Sequence, residues 1–259
     1  MKLGLGNSTG KGNLPVAGIV TSNLKMLHKY ETGPVVPVSD GAAFFDGSDD
    51  YVEIGSTTAF NGPELSISAW IKVRNGSSGS LPLIAKGQYN VNGAAFNLKY
   101  YPEGASNGRL SFSVERDSDE SDGEGGFAYV NALDTEVLGK WAHVAVVYSN
   151  TSDLIKIYIN GVSKTLSSGS GAWSGSFIDI PSSLSSLRIG RDDNAAINMD
   201  GHICNVGMWT RALDQPEVKS IMWKSLDGLV DSEKRLLVSW WNLSADANDS
   251  YGSLNGTLT

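Results

Sequence analysis

Downstream of Ser39 the chain reads as short runs of alternating apolar and polar residues, separated by turn-forming residues. Leu65, Ile67, Ala69, Ile71 and Val73 alternate with Ser66, Ser68, Trp70 and Lys72, the period-2 pattern of a strand with one buried face. The same alternation predicts strands through Ala94, Phe96, Leu98 and Tyr100 and through Leu110, Phe112 and Val114. From Trp141 to Tyr148 both parities are apolar, which predicts a central strand covered on both sides. Leu154 to Ile159 runs into Asn160-Gly161, a pair suited to the positive φ angles of a type I′ hairpin turn, and Val162, Lys164 and Leu166 continue as the return strand. After Gly228, Leu236, Val238 and Trp240 fall on one parity and Leu237, Trp241 and Leu243 on the other, again as a strand. One segment has helical spacing instead. Asp214 and Glu217 are placed as a capping box, Pro216 falls in the first turn, and Val218, Ile221, Met222 and Ser225 follow, so a short helix is expected over about 214–226 on the sandwich edge. No tandem repeat of roughly 20–50 residues is visible, which argues against a solenoid or propeller.

Residues 1–38 are different. Gly4 to Gly18 is Gly-rich and aperiodic, and Pro34 and Pro37 lie in an extended stretch that neither a helix nor a central strand accepts. The apolar residues Leu14, Val16, Ile19, Val20, Leu24, Met26 and Leu27 still need burial, against the chain's own sandwich or on a neighbouring subunit. The expected organisation is therefore an extended N-terminal arm over 1–38 and one all-β sandwich over 39–259, with a returning terminal segment at about 235–259. Composition agrees: 30 Gly in 259 residues point to many tight turns, and one Cys excludes an intramolecular disulfide or a zinc site built from cysteines. A net charge of -8 argues against a nucleic-acid partner. No apolar run suits a signal peptide or a membrane span, so neither export by the usual route nor membrane insertion is expected.

Several segments, in this order and spacing, carry a resemblance: Ala42–Ile54 around Phe44-Phe45-Asp46-Gly47, Leu65–Lys72, Lys140–Tyr148, Lys156–Val162, Leu187–Arg191, Met199–Val206 and Trp209–Leu213. Together they resemble the laminin G-like, or concanavalin A-like, jelly-roll family and its pentraxin-like branch, over about residues 40–230. The resemblance implies a jelly-roll β-sandwich with one short edge helix. Trp240-Trp241-Asn242-Leu243 and Asp249 to Leu258 resemble a segment that commonly opens such domains but here comes last. A circularly permuted sandwich and pairing with a neighbouring subunit both account for that order. The arm joined to Val35–Gly47 is also similar to laminin G-like virion proteins of tailed marine bacteriophages. That likeness implies a non-enzymatic virion structural protein, assembled in the host cytoplasm as a capsid decoration or cement protein anchored by its arm. Its partners would be other virion proteins of capsid or tail and further copies of itself. A tail or fibre component, or a calcium-dependent lectin module that binds cell-surface glycan, is the alternative.

Candidate chemistry is sparse. Glu115-Arg116-Asp117-Ser118-Asp119-Glu120 matches the Glu-x-Asp-x-x-Glu of jelly-roll endoglucanases, but Arg116 and Ser118 replace the apolar residues that hold such a strand in the core, and an acidic loop follows. A glycoside hydrolase is the least favoured reading. An EF-hand from Asp117 fails, since its sixth and twelfth positions hold Asp122 and Ala128. The resemblance allows calcium at the sandwich rim, for which Asp192, Asp193, Asn194, Asp200 and Asp249 are candidates; local turn capping is the favoured account of such residues. His28, His143 and His202 have no metal-binding spacing, and Cys204 reads as a buried thiol. Trp70, Trp173 and Tyr101, with Tyr89 and Tyr100, are candidates for a ring platform that stacks on sugars, while Trp141, Trp209, Trp240 and Trp241 read as core.

Overall fold

The alternation at Leu65–Val73 becomes the centre of a seven-stranded sheet in the computed structural model, which describes residues 37–74, 79–87, 95–102, 108–115, 125–167, 173–181, 185–193 and 197–259. Apart from its last two residues, the arm expected over 1–38 lies outside the described residues. In chain order the elements are β1 (Ala43–Asp46), β2 (Val52–Ser56), β3 (Glu64–Val73), β4 (Leu81–Lys86), β5 (Phe96–Tyr101), β6 (Arg109–Glu115), β7 (Gly125–Val130), the single-turn helix α1 (Asp134–Val137), β8 (Ala142–Ser149), β9 (Leu154–Ile159), β10 (Val162–Ser163), β11 (Ser174–Ser176), β12 (Ser186–Ile189), β13 (Asp200–Trp209), α2 (Gln215–Ile221), α3 (Asp231–Lys234), β14 (Leu237–Trp241) and β15 (Thr257–Leu258). The first sheet runs β1-β13-β3-β8-β9-β10 with β14 also on β13; the second, of eight strands, runs β11-β7-β6-β5-β4-β12-β2-β15. Strand neighbours pair antiparallel throughout, so the fold is an all-β sandwich of jelly-roll type.

Inward-facing residues of both sheets form one core: Leu65, Ile67, Ala69, Ile71 and Val73 meet Phe96, Leu98, Tyr100, Leu110, Phe112 and Val114. Turn chemistry sets the hairpins. Asn160 and Gly161 have φ of 50° and 72°, as the type I′ reading expects. Gly201 has φ of 144°, and a Cβ there would stand 2.1 Å from the Lys72 carbonyl oxygen, so only glycine lets β13 lie against β3.

β3 differs from the one-sided strand its alternation predicts, because Ser66, Ser68 and Trp70 are buried as well. The cause is a helical cover on the outer face of the first sheet. Leu213, Val218, Ile221 and Leu229 pack on Ala145, Val147, Tyr158, Trp209, Leu237 and Trp240. The helix is capped as its sequence implies: the Asp214 carboxylate accepts the Glu217 N–H and the Glu217 carboxylate accepts the Asp214 N–H, with Pro216 in the first turn. It stops at Ile221 and continues as a 3-10 turn at Leu226–Gly228 and then α3.

The terminal segment packs in cis. β14 pairs with β13 from Val206 to Trp209, next to the stretch from Asp200 to Ile203 that pairs with β1, and β15 pairs with β2. Between the two stretches Asn205 sits at a bulge with φ of 49°, where its N–H reaches the Asn242 carbonyl and its side-chain amide the Val38 carbonyl.

His143 lies under the cover, with Nε2 2.8 Å from the Ser68 hydroxyl and its ring against Trp70. Burial lowers its pKa from 6.5 to about 3. Below pH 6.5 the unfolded chain therefore takes up a proton that the folded chain refuses, and stability that is full above that pH is lost as pH falls. Unfolding in urea is expected to show a loss of about 2 kcal/mol between pH 7 and pH 5 from this group. The His143→Leu variant should show a correspondingly flatter profile; an unchanged slope would assign the effect elsewhere.

Candidate functional site

Each core strand of the second sheet puts alternate residues on the outer face, and there the register brings a mixed set together. Asn97 of β5, Ser113 of β6 and Phe127 of β7 are cross-strand neighbours; Lys99, Ser111 and Tyr129 form the next row, and Tyr101 opposite Arg109 the third. The first two rows and the Tyr101–Arg109 pair line a cavity of about 180 Å³, with Tyr129 just beyond the lining. The Arg109 guanidinium stands over the Tyr101 ring at 4.2 Å and within 5.2 Å of the Tyr129 ring, and Tyr129 stacks on Phe127 at 6.0 Å. Lys99 is paired with Asp192 at 2.6 Å, both largely buried.

Two groups in this cavity lack hydrogen-bond partners among the described residues. Asn97 is 2% exposed, yet neither its amide oxygen nor its amide nitrogen is bonded; the Nε of Arg109 is likewise buried without an acceptor. A buried amide left unmatched costs about 1–3 kcal/mol, so such atoms call for a ligand or water to complete them. A larger open groove of about 440 Å³ along β9 and residues 163–166 is less suited, with one ring, Phe177, and a lysine, Lys164, already paired with Glu136.

The residues singled out by sequence divide sharply. Tyr101 lies in the cavity. Trp70 does not present a ring to solvent: it is 1% exposed, with its indole N–H on the Met222 carbonyl, because the helical cover closes over it. Trp173 is also buried, its ring packed on Tyr148 and Phe177 inside the sandwich. Trp141, expected in the core, is only partly buried and contacts His202. Asp192 and Asp193 sit with Lys99 and Arg188, and Asp200 with Arg74. Asp249 receives the backbone N–H groups of Trp240, Tyr251, Gly252 and Leu254. Of the candidate calcium ligands, the four that are described, Asp192, Asp193, Asp200 and Asp249, each have protein cations or backbone donors as partners. Asn194, Asp117, Glu120 and Tyr89 lie outside the described residues, as does the side chain of Glu115. A different trio, Asp46, Asp49 and Asp50, brings carboxylate oxygens within 4.8 Å of one another on the surface. The Cys204 thiol is pushed up to about 12 by burial, so it stays protonated, and His202 packs between Phe44 and Trp141.

Sequence reading missed Asn97, Arg109, Ser111, Ser113, Phe127 and Tyr129. The available signal was the polar parity of β5 and β6, which reads as a solvated face until a third strand adds two rings to it.

Residues 46–219 match the Laminin_G_3 family, of the concanavalin A-like lectin/glucanases superfamily. The chain belongs to this family. No curated protein matches the sequence. Among solved structures, a Bacteroides ovatus protein described as a candidate carbohydrate-binding protein shares 18% identity at a TM-score of 0.59, over 84% of this chain and 57% of its own. The present chain therefore spans little more than half the length of that protein. The CBM40 of the Ruminococcus gnavus IT-sialidase, solved with α2,3-sialyllactose, shares 13% identity at a TM-score of 0.52, over 74% of this chain and all of its own. At these identities the likeness is one of fold.

Proposed function

We propose that this Laminin_G_3 domain is a non-catalytic carbohydrate-binding module whose site is the outer face of the eight-stranded sheet. One observation carries the reading: a row of rings ending at Tyr101 and Phe127 flanks a buried, unbonded Asn97 amide. Ring faces take up the apolar face of a pyranose, and an amide with a free donor and acceptor matches adjacent sugar hydroxyls. The described residues that line the cavity include no carboxylate, whereas glycoside hydrolysis uses two, so binding without cleavage is the chemistry these residues support. A glycan array is expected to find a ligand. Tyr101→Ala should then weaken binding by at least about tenfold, equivalent to about 1.4 kcal/mol, with the melting temperature nearly unchanged. Absence of any glycan ligand, or unaltered binding by the variant, would overturn the assignment.

The setting we propose is a virion, with the module displayed for adhesion or as capsid decoration and the arm over 1–38 as its anchor. The likeness of the arm and Val35–Gly47 to phage virion proteins supports this setting. Deleting residues 1–38 is expected to abolish incorporation into particles while leaving a folded sandwich; mass spectrometry of purified particles that finds the truncated protein at normal copy number would remove the anchor role.

A further inference from the structure

Among the described residues Arg109 is a cation without an ion-pair partner, in a chain of net charge -8. Among the described residues its guanidinium makes no hydrogen bond and no ion pair; only the rings of Tyr101 and Tyr129 hold it. A ring face offsets part of the positive charge but leaves the N–H fork without acceptors. The other cation of the cavity, Lys99, is neutralised by Asp192, and no carboxylate is among the described residues that line the cavity, so within that set Arg109 carries the one uncompensated positive charge. With surplus carboxylates over the whole molecule, an arginine without an acid partner, half sunk in a cavity, is an arrangement that folding alone does not require. A planar fork held in place by aromatic rings is the geometry that receives an oxyanion through two parallel N–H···O bonds. On the same face, Ser111 in the next row and Asn97 in the row after it supply the neutral donors and acceptors of a sugar-binding surface.

We propose that the ligand of this face is an anionic saccharide, whose carboxylate or sulfate is received by Arg109. This rests on the carbohydrate-binding reading above and narrows it. The overall acidity of the chain does not oppose it, because at physiological ionic strength charges beyond about 8 Å are largely screened and the local cation governs.

The test uses the full chain and four probes: oligogalacturonate, its carboxyl-reduced counterpart, a sulfated derivative of the reduced oligomer, and inorganic sulfate. Calorimetry is expected to show the carboxylated or the sulfated oligomer bound at least tenfold more tightly than the reduced one, and the stronger of the two identifies the oxyanion. In Arg109→Gln that preference, read as the ratio of the charged to the reduced oligomer's affinity, should vanish, and in Arg109→Lys, which keeps the charge without the fork, a smaller preference should remain. Equal affinity of wild-type protein for the charged and reduced oligomers would overturn the anionic assignment and leave the carbohydrate reading standing. Loss of both affinities in Arg109→Gln with an unchanged melting temperature would make Arg109 a support for the rings and also overturn it. Binding of inorganic sulfate as tight as that of the oligomers would replace the saccharide with a free anion, and no binding of any oligomer would fell both readings for these sugars.

Discussion

Asp249→Ala is expected to lower the free energy of unfolding by about 3–5 kcal/mol, read as a fall in the urea midpoint with little change in slope. The carboxylate is 9% exposed and accepts four backbone N–H groups: those of Trp240 at 3.0 Å, Tyr251 at 3.1 Å and Gly252 at 2.9 Å on one oxygen, and that of Leu254 at 3.0 Å on the other. It therefore ties β14 to the loop that delivers β15 to β2. Removing it strands several buried donors, each worth about 1–3 kcal/mol when left unmatched. Burial alone would raise its pKa, but the backbone donors outweigh that and hold the carboxyl below its ordinary value. The sign follows: the contribution is complete above the unfolded carboxylate range and is lost as pH falls through the folded pKa, so wild type and variant should converge in strong acid. The loss should be the same in EDTA and in millimolar calcium. A loss seen only with calcium present would instead make Asp249 a metal ligand.

Arg211→Met is the second large effect, about 3 kcal/mol, and it should fall on the helical cover before the sandwich. Arg211 is 4% exposed and grips Glu217 through two bonds of 2.8 and 2.7 Å while donating to the carbonyls of Arg235 at 2.7 Å and Ser232 at 3.2 Å. One side chain thus pins the first turn of α2 to α3 and the residue that follows it. Its removal leaves Glu217 without its cation, frees two carbonyls and loosens the apolar layer over Trp209 and Trp240. Hydrogen exchange should accelerate across 213–236 while β5 and β6 keep their protection. Arg211→Lys should recover less than half of the loss, since an ammonium cannot make the bidentate contact and reach both carbonyls. Uniform acceleration in every strand would show that the cover and sandwich unfold as one unit.

Much of the architecture was legible because it rests on local rules. The alternation of β3, β5 and β6, the double-sided apolar run of β8, the Asn160-Gly161 turn and the Asp214–Glu217 cap each follow from neighbours a few residues apart. Where the reading departed from the structure, the missing information was a distant partner. Trp70, a candidate ring platform because it sits on the polar parity of its strand, is sealed by the segment that carries Met222 and Trp223. The terminal segment, open between two placements on sequence, is settled by β14 on β13 and β15 on β2. Nothing near Asp192 in sequence marks its counterpart, because Lys99 is 93 residues away.

The candidate site shows the same division. Its residue types, Tyr101, Arg109, Asn97, Ser113 and Phe127, come from three strands, and no spacing within one strand marks them as a set. Sequence by itself determined the strand parities, and therefore that Asn97, Lys99 and Tyr101 share one face, because a pleated strand repeats every two residues. Only the tertiary structure decided what stands across from them, since register between strands depends on turns and on the shared core. That register is what places Arg109 against the rings of Tyr101 and Tyr129, on the face that also carries the Asn97 amide.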